Sequence, residues 1–203
     1  MVIEKKELKI FPTLISVYGN VLTEKQCSLI KKFCSKQNTS NHGALIGKSS
    51  SSHSYTSNIL NAIVQEISEC SDLKDIISDI MNDYAKSLGI GEVQIDNSWF
   101  NCQDIGSILR QHSHYFSAIS AALYVNVDSN SSKIYFDNPN QLITRLYSDS
   151  ERGTTEYLDE YFYIKPENGY LVVFPSWINH GSFYEKNNTK NRLVISFNSS
   201  RKS

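Results

Sequence analysis

Two histidines separated by one residue are the part of this sequence best suited to chemistry. They are His112 and His114, in the stretch Gln111–Tyr115. On a β-strand alternate side chains point to the same face, so both imidazoles can converge on one point. Neutral imidazole is a common ligand for iron, copper, nickel and zinc. The pair therefore predicts part of a metal site whose remaining ligands come from elsewhere in the chain.

A third histidine and an arginine are the candidates that complete such a site. His180 follows an apolar run and precedes Gly181, a residue type that allows two backbones to approach closely. Arg192 and Ser196 are four residues apart, so they share one face of a strand. The planar guanidinium of arginine suits a carboxylate, and a serine hydroxyl can add a donor. The plain alternatives are a polar surface pair of histidines and an exposed salt bridge at Arg192.

Length and composition are those of one globular domain without a large charge imbalance. The 203 residues are 40% hydrophobic and 20% charged, with a formal net charge of −1, so no overall basic field indicates a nucleic-acid partner. No apolar run approaches the roughly 18 residues that a membrane span needs. The first residues contain no apolar signal core. We therefore expect a cytoplasmic protein.

The cysteines show no spacing typical of a metal site or a redox motif. Cys27, Cys34, Cys70 and Cys102 form no Cys-x-x-Cys pair. In a reducing compartment such cysteines behave as small buried hydrophobic residues. We expect that role here, rather than disulfides or metal ligation.

The N-terminal part of the chain, residues 1–92, predicts a strand region followed by supporting helices. Leu8–Val21 is apolar and β-branched, and it predicts one or two short strands. Thr23–Gln26 has the pattern of a capping box, which predicts a helix of about three turns ending near Gln37.

Two further segments have helical periodicity. Ile59–Ile67 and Leu73–Leu88 are amphipathic, with Ser71 as the predicted N-cap of the second helix and Gly89 as its stop. Asn38–Asn58, between the first two helices, is rich in serine, asparagine and glycine. Its composition predicts a loop without regular structure. A plain connection is the favoured interpretation, and a lid over a site is the alternative.

The second half of the chain, residues 93–203, changes to a pattern of short strands. Glycine, asparagine, aspartate or proline separates most of them, which is typical of a sandwich or barrel. Gln141–Glu156 has the least clear pattern. The predicted strands are Val93–Phe100, Ser107–His114, Ala118–Val127, Lys133–Phe136, Glu160–Ile164, Tyr170–Phe174 and Arg192–Asn198.

Several stretches of this half resemble the 2-oxoglutarate- and Fe(II)-dependent oxygenases, closest to a bacterial and phage branch related to prolyl 4-hydroxylases. Together they span most of residues 98–198, and Leu8–Thr13 is similar to the branch's opening strand. The combination is fairly specific, whereas each stretch alone is weak. The stretches are Ser98–Asn101, His112–His114, Ser117–Val125, Lys133–Pro139, Pro166–His180 and Arg192–Asn198.

This resemblance implies a mainly β fold with flanking helices (α+β), a double-stranded β-helix or jelly roll, in a single oxygenase domain. It implies His112 and His180 as iron ligands and Arg192 as the residue that binds the distal carboxylate of 2-oxoglutarate. Ser196 or Tyr124 could assist Arg192. Asn101 is placed where it could face the cofactor.

One residue departs from the family pattern. The usual motif is His-x-Asp or His-x-Glu, and His114 stands at the acidic position. Three interpretations remain open: His114 is a third neutral ligand, an acid such as Asp137 completes the site, or His114 lies behind two ligands. The first is favoured because it needs no rearrangement. A neutral ligand offsets none of the charge of Fe(II).

The expected function is that of a dioxygenase that uses Fe(II) and 2-oxoglutarate to hydroxylate an unidentified substrate, with a protein side chain such as proline as the analogy. The rival interpretations are a cupin-like three-histidine metalloenzyme without 2-oxoglutarate and a non-catalytic jelly-roll binding module. The fold itself does not choose among them. We also expect a homodimer, in the cytoplasm of a bacterial or phage-infected cell.

Overall fold

Two facing β-sheets carry helices on the outside of the larger sheet. The computed structural model describes residues 12–140 and 159–202. The helices are α1 (Glu24–Cys34), α2 (Ile59–Glu66) and α3 (Leu73–Leu88), with a short 3-10 turn at Ser68–Cys70. The strands are β1 (Ser16–Tyr18), β2 (Leu45–Ile46), β3 (Ser49–Ser51), β4 (Val93–Gln103), β5 (Ile108–Leu109), β6 (Ile119–Asn126), β7 (Ile134–Asp137), β8 (Tyr161–Ile164), β9 (Leu171–Pro175), β10 (His180–Gly181) and β11 (Arg192–Arg201).

The strand order is that of a jelly roll. The larger sheet has the order β1-β9-β6-β11-β4-β3, and the smaller sheet has the order β10-β7-β8. The strands pair antiparallel, and β2 pairs with β5 at the side. β6 and β9 bring apolar residues such as Tyr124 and Phe174 into a core that they share with Phe136 of the smaller sheet. The predicted double-stranded β-helix is confirmed.

β11 shows how the larger sheet serves two different environments. Leu193, Ile195 and Phe197 pack on the helix side, in one cluster with Ile30 of α1 and Ile77 of α3. The alternate residues face the space between the sheets. Because side chains alternate along a strand, one half of β11 anchors the helices and the other half is available for a site. The predicted supporting role of the helices is confirmed.

The helix ends follow the sequence signals in two cases out of three. The Thr23 side chain accepts the backbone N–H of Gln26 in a complete capping box, although α1 ends at Cys34 rather than near Gln37. Gly89 ends α3 with a left-handed φ of 69°. Ser71 is not the N-cap, because its backbone is helical and its N–H bonds to Ser68 O at the end of the 3-10 turn.

Asn38–Asn58 differs from the prediction of a loop without regular structure, because it contains β2 and β3. Two serines of its four-residue run form hydrogen bonds with the backbone of β4. The Ser52 hydroxyl accepts the N–H of Phe100 at 3.0 Å, and the Ser51 hydroxyl donates to the carbonyl of Phe100 at 3.3 Å. Both serines are buried. Composition missed these strands because their pairing partners, β5 for β2 and β4 for β3, are distant in sequence.

The predicted strand Ser107–His114 is largely wrong, since only Ile108–Leu109 pairs as β5. The three buried cysteines, Cys27, Cys34 and Cys70, and the half-buried Cys102 are free thiols, as expected. Leu8–Phe11 of the first predicted strand and Gln141–Glu156 lie outside the described residues. Among the described helices, none is long and apolar enough to cross a membrane.

We expect that Gly181→Ala destabilises the protein by about 1–3 kcal/mol, because an added methyl group must displace backbone. A Cβ atom at Gly181 would lie 2.9 Å from the carbonyl oxygens of Leu109 and Arg110. Gly43→Ala is the matched control, since nothing lies within 4 Å of its added Cβ atom. Urea unfolding of both variants measures the difference. Equal stability of the two variants would contradict the close approach.

Candidate metal and cosubstrate site

The three predicted histidines come together at one point. The ligand atoms of His112, His114 and His180 all lie within 4.8 Å of one another. Backbone pairing holds them there: His112 and His180 exchange hydrogen bonds of 3.0 and 2.9 Å, and the His114 N–H donates to Ser176 O at 2.8 Å. The convergence inferred from the spacing is therefore present, although it depends on this pairing rather than on a regular strand.

Two of the three imidazoles have a defined tautomer. His112 Nδ1 lies 2.8 Å from the carbonyl oxygen of Arg110, and His180 Nδ1 lies 2.9 Å from that of Ile178. A carbonyl oxygen only accepts, so each Nδ1 carries the hydrogen and each Nε2 keeps its lone pair. Such contacts orient metal-binding histidines. Both rings are therefore prepared to bind a metal through Nε2.

The third imidazole contacts an amide instead of a carbonyl. The Asn198 amide nitrogen donates to His114 Nδ1 at 3.4 Å, and Asn198 Oδ1 accepts from the Ser120 hydroxyl at 2.7 Å. Because Nδ1 accepts this hydrogen bond, a neutral His114 carries its hydrogen on Nε2. Turning the amide over reverses the polarity, because the Ser120 hydroxyl can donate to Ser176 Oγ at 2.8 Å instead. His114 then has a free Nε2 like the other two histidines.

The electrostatic environment keeps the triad neutral. Burial, together with His112 and His53, lowers the pKa of His114 to about 4. Burial also lowers the pKa of His112 and moves the pKa of His180 well below its usual range. Because a protonated imidazole has no lone pair for a metal, these shifts leave all three rings available at neutral pH.

Asp137, the alternative acidic ligand, is turned away from the triad. Its carboxylate accepts a hydrogen bond from the Tyr184 side chain, and burial raises its pKa. It is not among the groups that could share a metal with the three histidines. Among the described residues, His114 therefore occupies the position of a third ligand. Its binding of a metal remains a prediction.

Arg192 lies in the same cavity as the triad, on the inner face of β11. The side chain is 5% exposed, and no described carboxylate pairs with it. It donates to Gln103 Oε1, and its Nη2 lies 3.4 Å from the carbonyl oxygen of Ser132. No described residue hydrogen-bonds to the Nε of Arg192, the Nε2 of Gln103 or the Oγ of Ser132. A buried guanidinium beside two more unpaired polar groups is suited to an anion.

The other predicted cosubstrate residues line this cavity too. The Arg192 guanidinium lies 5.6 Å from the Tyr124 ring, and burial raises the pKa of Tyr124 to about 12. Ser196 shares the inner face of β11 with Arg192, and Asn101 extends from β4 with its Oδ1 unpaired. The structure therefore brings together the three histidines, Arg192 and the other predicted cosubstrate residues in one cavity, whereas the alternative ligand Asp137 does not line it.

Sequence reasoning missed Gln103 and Ser132, since neither belongs to a motif, and it assigned no role to His42, His53 or Asn198. All of these except Ser132 line the cavity. Trp99 also lines the cavity and is buried. Tyr115, Phe116 and Trp177, which lie near the histidines in sequence, are at least half exposed.

We expect the metal-free protein to lose stability as the pH falls from about 6.5 to 4. In the unfolded chain these histidines bind protons near their usual pKa, whereas in the folded chain they stay neutral to lower pH. The free energy of unfolding therefore becomes smaller as the pH falls. Urea unfolding in EDTA at several pH values measures this dependence. His114→Asn should show a shallower decrease, and an identical slope in both proteins would contradict the pKa shift.

We expect Asn198→Ala to weaken Co(II) binding roughly 10-fold or more, because an outer partner of a metal-binding histidine is removed. Asn198→Asp, which can only accept from Nδ1, should retain or tighten binding. Ser200→Ala on the same strand is the control, since its hydroxyl bonds to Asp96 at the surface. Titration followed by the Co(II) absorption bands measures affinity. If His114→Ala binds Co(II) like the parent protein, His114 is not a ligand.

Comparison with known families agrees with this geometry. Residues 97–198, half of the chain, match the family model described as "Putative 2OG-Fe(II) oxygenase". This range contains the three histidines, Arg192, Gln103 and Ser132. No curated protein matches the sequence.

Solved structures similar to this chain share its fold. A prolyl-4-hydroxylase from Pseudomonas putida is 15% identical, with 94% of each chain covered and a TM-score of 0.56. HygX from Streptomyces hygroscopicus, solved with nickel, 2-oxoglutarate and hygromycin B, is 9% identical, with 93% of this chain and 83% of HygX covered and a TM-score of 0.63.

The epimerase SnoN from nogalamycin biosynthesis, solved with Fe3+, alpha ketoglutarate and nogalamycin RO, is 11% identical. The alignment covers 93% of this chain and 79% of SnoN, with a TM-score of 0.63. At these identities the likeness concerns the fold alone, whereas the family match covers half of the chain. The chain belongs to the 2OG-Fe(II) oxygenase family.

Proposed function

We propose that this protein is a dioxygenase that uses Fe(II) and 2-oxoglutarate to hydroxylate its substrate. The observation that carries the proposal is one cavity of about 330 Å³ that holds three converging imidazoles and a buried arginine whose Nε has no hydrogen-bond partner among the described residues. The size is at the lower end of the range for small-molecule sites. A metal-binding end and a carboxylate-binding end in one cavity match the two ends of a keto diacid.

The donor set fits Fe(II). Imidazole is a suitable ligand for iron, and three ligands on one side of the ion leave positions for a chelating cosubstrate and dioxygen. Bound iron and 2-oxoglutarate supply the oxidative chemistry, and the protein supplies binding, orientation and exclusion of water. Two phenylalanine rings pack near the His180 imidazole, with centroid distances of 4.5 Å for Phe174 and 6.2 Å for Phe136. They form an apolar surface that excludes water from this side of His180.

The other end of the cavity fits a carboxylate. Arg192 and Gln103, which line the cavity, each contain a nitrogen that can donate a hydrogen bond and has no partner among the described residues. A carboxylate has about four acceptor positions, and arginine can engage two of them in a fork. We propose that the distal carboxylate of 2-oxoglutarate accepts these hydrogen bonds, with Tyr124 and Ser196 beside it. This contact orients the cosubstrate with its keto acid end toward the histidines.

We further propose a protein side chain as the substrate, with proline as the first candidate to test. The Pseudomonas putida prolyl-4-hydroxylase supports this choice because it aligns over nearly the whole of both chains. The exposed aromatic residues give independent support. Tyr115 is 79% exposed and Phe116 is fully exposed, directly after His114. Large exposed apolar side chains are typical of protein-binding surfaces.

We expect Arg192→Ala to weaken 2-oxoglutarate binding on the order of 100-fold, because a buried charge-assisted contact is lost. Arg192→Lys should be intermediate, since it keeps the charge without the fork. Arg201→Ala, at the exposed end of the same strand, is the control. The measurement is an anaerobic titration of the Fe(II) protein with 2-oxoglutarate, followed by the visible charge-transfer band of the chelate.

A wild-type protein that binds Fe(II) but develops no band with 2-oxoglutarate would contradict the proposal. That result would favour a three-histidine metalloenzyme without this cosubstrate. A protein that binds no Fe(II) at stoichiometric concentration would favour a non-catalytic jelly-roll module instead.

A further inference from the structure

All five histidines of the chain line the same cavity, although only three of them form the triad. The other two, His42 and His53, come from the segment between α1 and α2. They are far from the triad in sequence, and neither has a role in the proposed binding of iron or 2-oxoglutarate. The cavity therefore contains two imidazoles whose presence is still unexplained.

The His42 ring forms a backbone hydrogen bond through one nitrogen, Nδ1, and its other nitrogen, Nε2, is not used. Its Nδ1 accepts the N–H of Ala44 at 3.3 Å, and Ala44 O accepts the N–H of Arg110 at 2.7 Å, two residues before His112. A neutral imidazole that accepts at Nδ1 carries its hydrogen on Nε2. Among the described residues this N–H has no partner. His42 therefore offers the cavity an unused donor.

His53 is placed by ring contacts rather than by ring hydrogen bonds. Its ring meets the His42 ring edge-on, with centroids 5.2 Å apart, and meets Trp99 in the same manner at 5.1 Å. Trp99 in turn lies 6.1 Å from the His114 ring. No described residue hydrogen-bonds to either ring nitrogen of His53. A row of rings thus extends from the triad to two imidazoles with unused donor capacity.

The side chains that line the cavity carry no negative charge. None of the described lining residues is Asp or Glu, whereas Arg192 and Lys133 are cationic. The Lys133 ammonium pairs with Glu185 at 3.7 Å. Burial lowers the pKa of the Arg192 guanidinium, but the same carboxylate is close enough to act in the opposite direction, so one acid outside the cavity lining is shared by the two cations. The cavity is therefore electropositive even when it is considered without a metal.

The next step rests on the proposed function. A 2-oxoglutarate dianion offsets two positive charges, whereas Fe(II) and Arg192 together bring three. A carboxylate at position 114 would cancel the remaining charge, but His114 is neutral. An uncompensated charge in a buried site is unfavourable. With Fe(II) and 2-oxoglutarate bound, the cavity would therefore carry one excess positive charge, which one further anion would neutralise.

We propose that His42 and His53 form a subsite for an oxyanion carried by the substrate, either a carboxylate or a phosphate. The two imidazoles supply N–H donors, and hydrogen bonds to a charged acceptor are stronger than those between neutral groups. The anion cancels the charge that His114 leaves at the metal. Trp99 separates the subsite from His114 by one ring, with centroid distances of 5.1 Å to His53 and 6.1 Å to His114. His53 is exposed and His42 is half-buried, so the subsite lies on the solvent side of the cavity that holds the triad. A substrate bound there by its anion can extend toward the metal end.

The plain alternative is that the two histidines only pack against Trp99. Substitutions that separate shape from hydrogen bonding distinguish the two roles. His42→Leu with His53→Leu keeps apolar volume but removes the donors. His42→Gln with His53→Gln keeps an N–H donor near the position of Nε2. A packing role predicts that the leucine variant behaves like the parent protein.

The test uses the whole protein loaded anaerobically with Co(II) and saturating 2-oxoglutarate. Acetate and inorganic phosphate are the anionic probes, and acetamide is the neutral probe of nearly the same shape as acetate. The Co(II) absorption bands report binding without turnover. We expect at least one anion to bind saturably at millimolar concentration, and acetamide to bind far more weakly. The leucine double variant should weaken anion binding about 10-fold or more, and the glutamine variant much less.

Three results would overturn the inference. They are equal binding of acetate and acetamide, unchanged anion binding in the leucine variant, and no response of the parent protein to either anion at tens of millimolar. An anion that coordinates Co(II) directly would give the second result. Failure of 2-oxoglutarate to bind in the first step is a separate outcome, and it would count against the proposed function. The preferred probe, acetate or phosphate, distinguishes a carboxylate from a phosphate substrate.

Discussion

The register of β11 between β4 and β6 is the constraint on which the rest of the structure depends. The strand pairs with β4 from Arg192–Gln103 to Arg201–Val93 and with β6 along most of its length. Since side chains alternate, this register places Leu193, Ile195 and Phe197 under the helices. A slip by one residue would exchange the two faces and bury polar groups in the apolar core.

The same register also determines which side chains line the cavity. Arg192 and Ser196 enter the cavity from β11, Asn101 and Gln103 enter from β4, and Tyr124 enters from β6. A shift in the pairing of β11 with β4 follows Asn198, the residue that contacts His114. Irregularities of this kind can re-aim a side chain near a functional site. The proposed cosubstrate end and one predicted metal ligand, His114, therefore both depend on β11.

The substitution of a neutral histidine for an acidic ligand gives this cavity its electrostatic character. The three imidazoles are neutral because burial disfavours their protonation. Arg192 is buried, and the described acid that acts on it, Glu185, is paired with Lys133. Positive charge is thus present before any ion binds. In our proposal, the metal, the diacid and an anionic substrate are linked by the same need to balance charge, and this need is the role proposed for His42 and His53.

The sequence by itself determined the general fold and the principal chemical groups, because both depend on local or strongly patterned signals. Strand periodicity, the capping box at Thr23 and the left-handed stop at Gly89 predicted the main elements. The His112/His114 spacing, His180 and Arg192 predicted the two ends of the site. Tertiary structure decided what has no local signal: that serines of Asn38–Asn58 pair with β4, that Asp137 turns to Tyr184, and that Gln103 and Ser132 surround Arg192. These contacts join residues far apart in the chain, and only the register of the folded sheets brings them together.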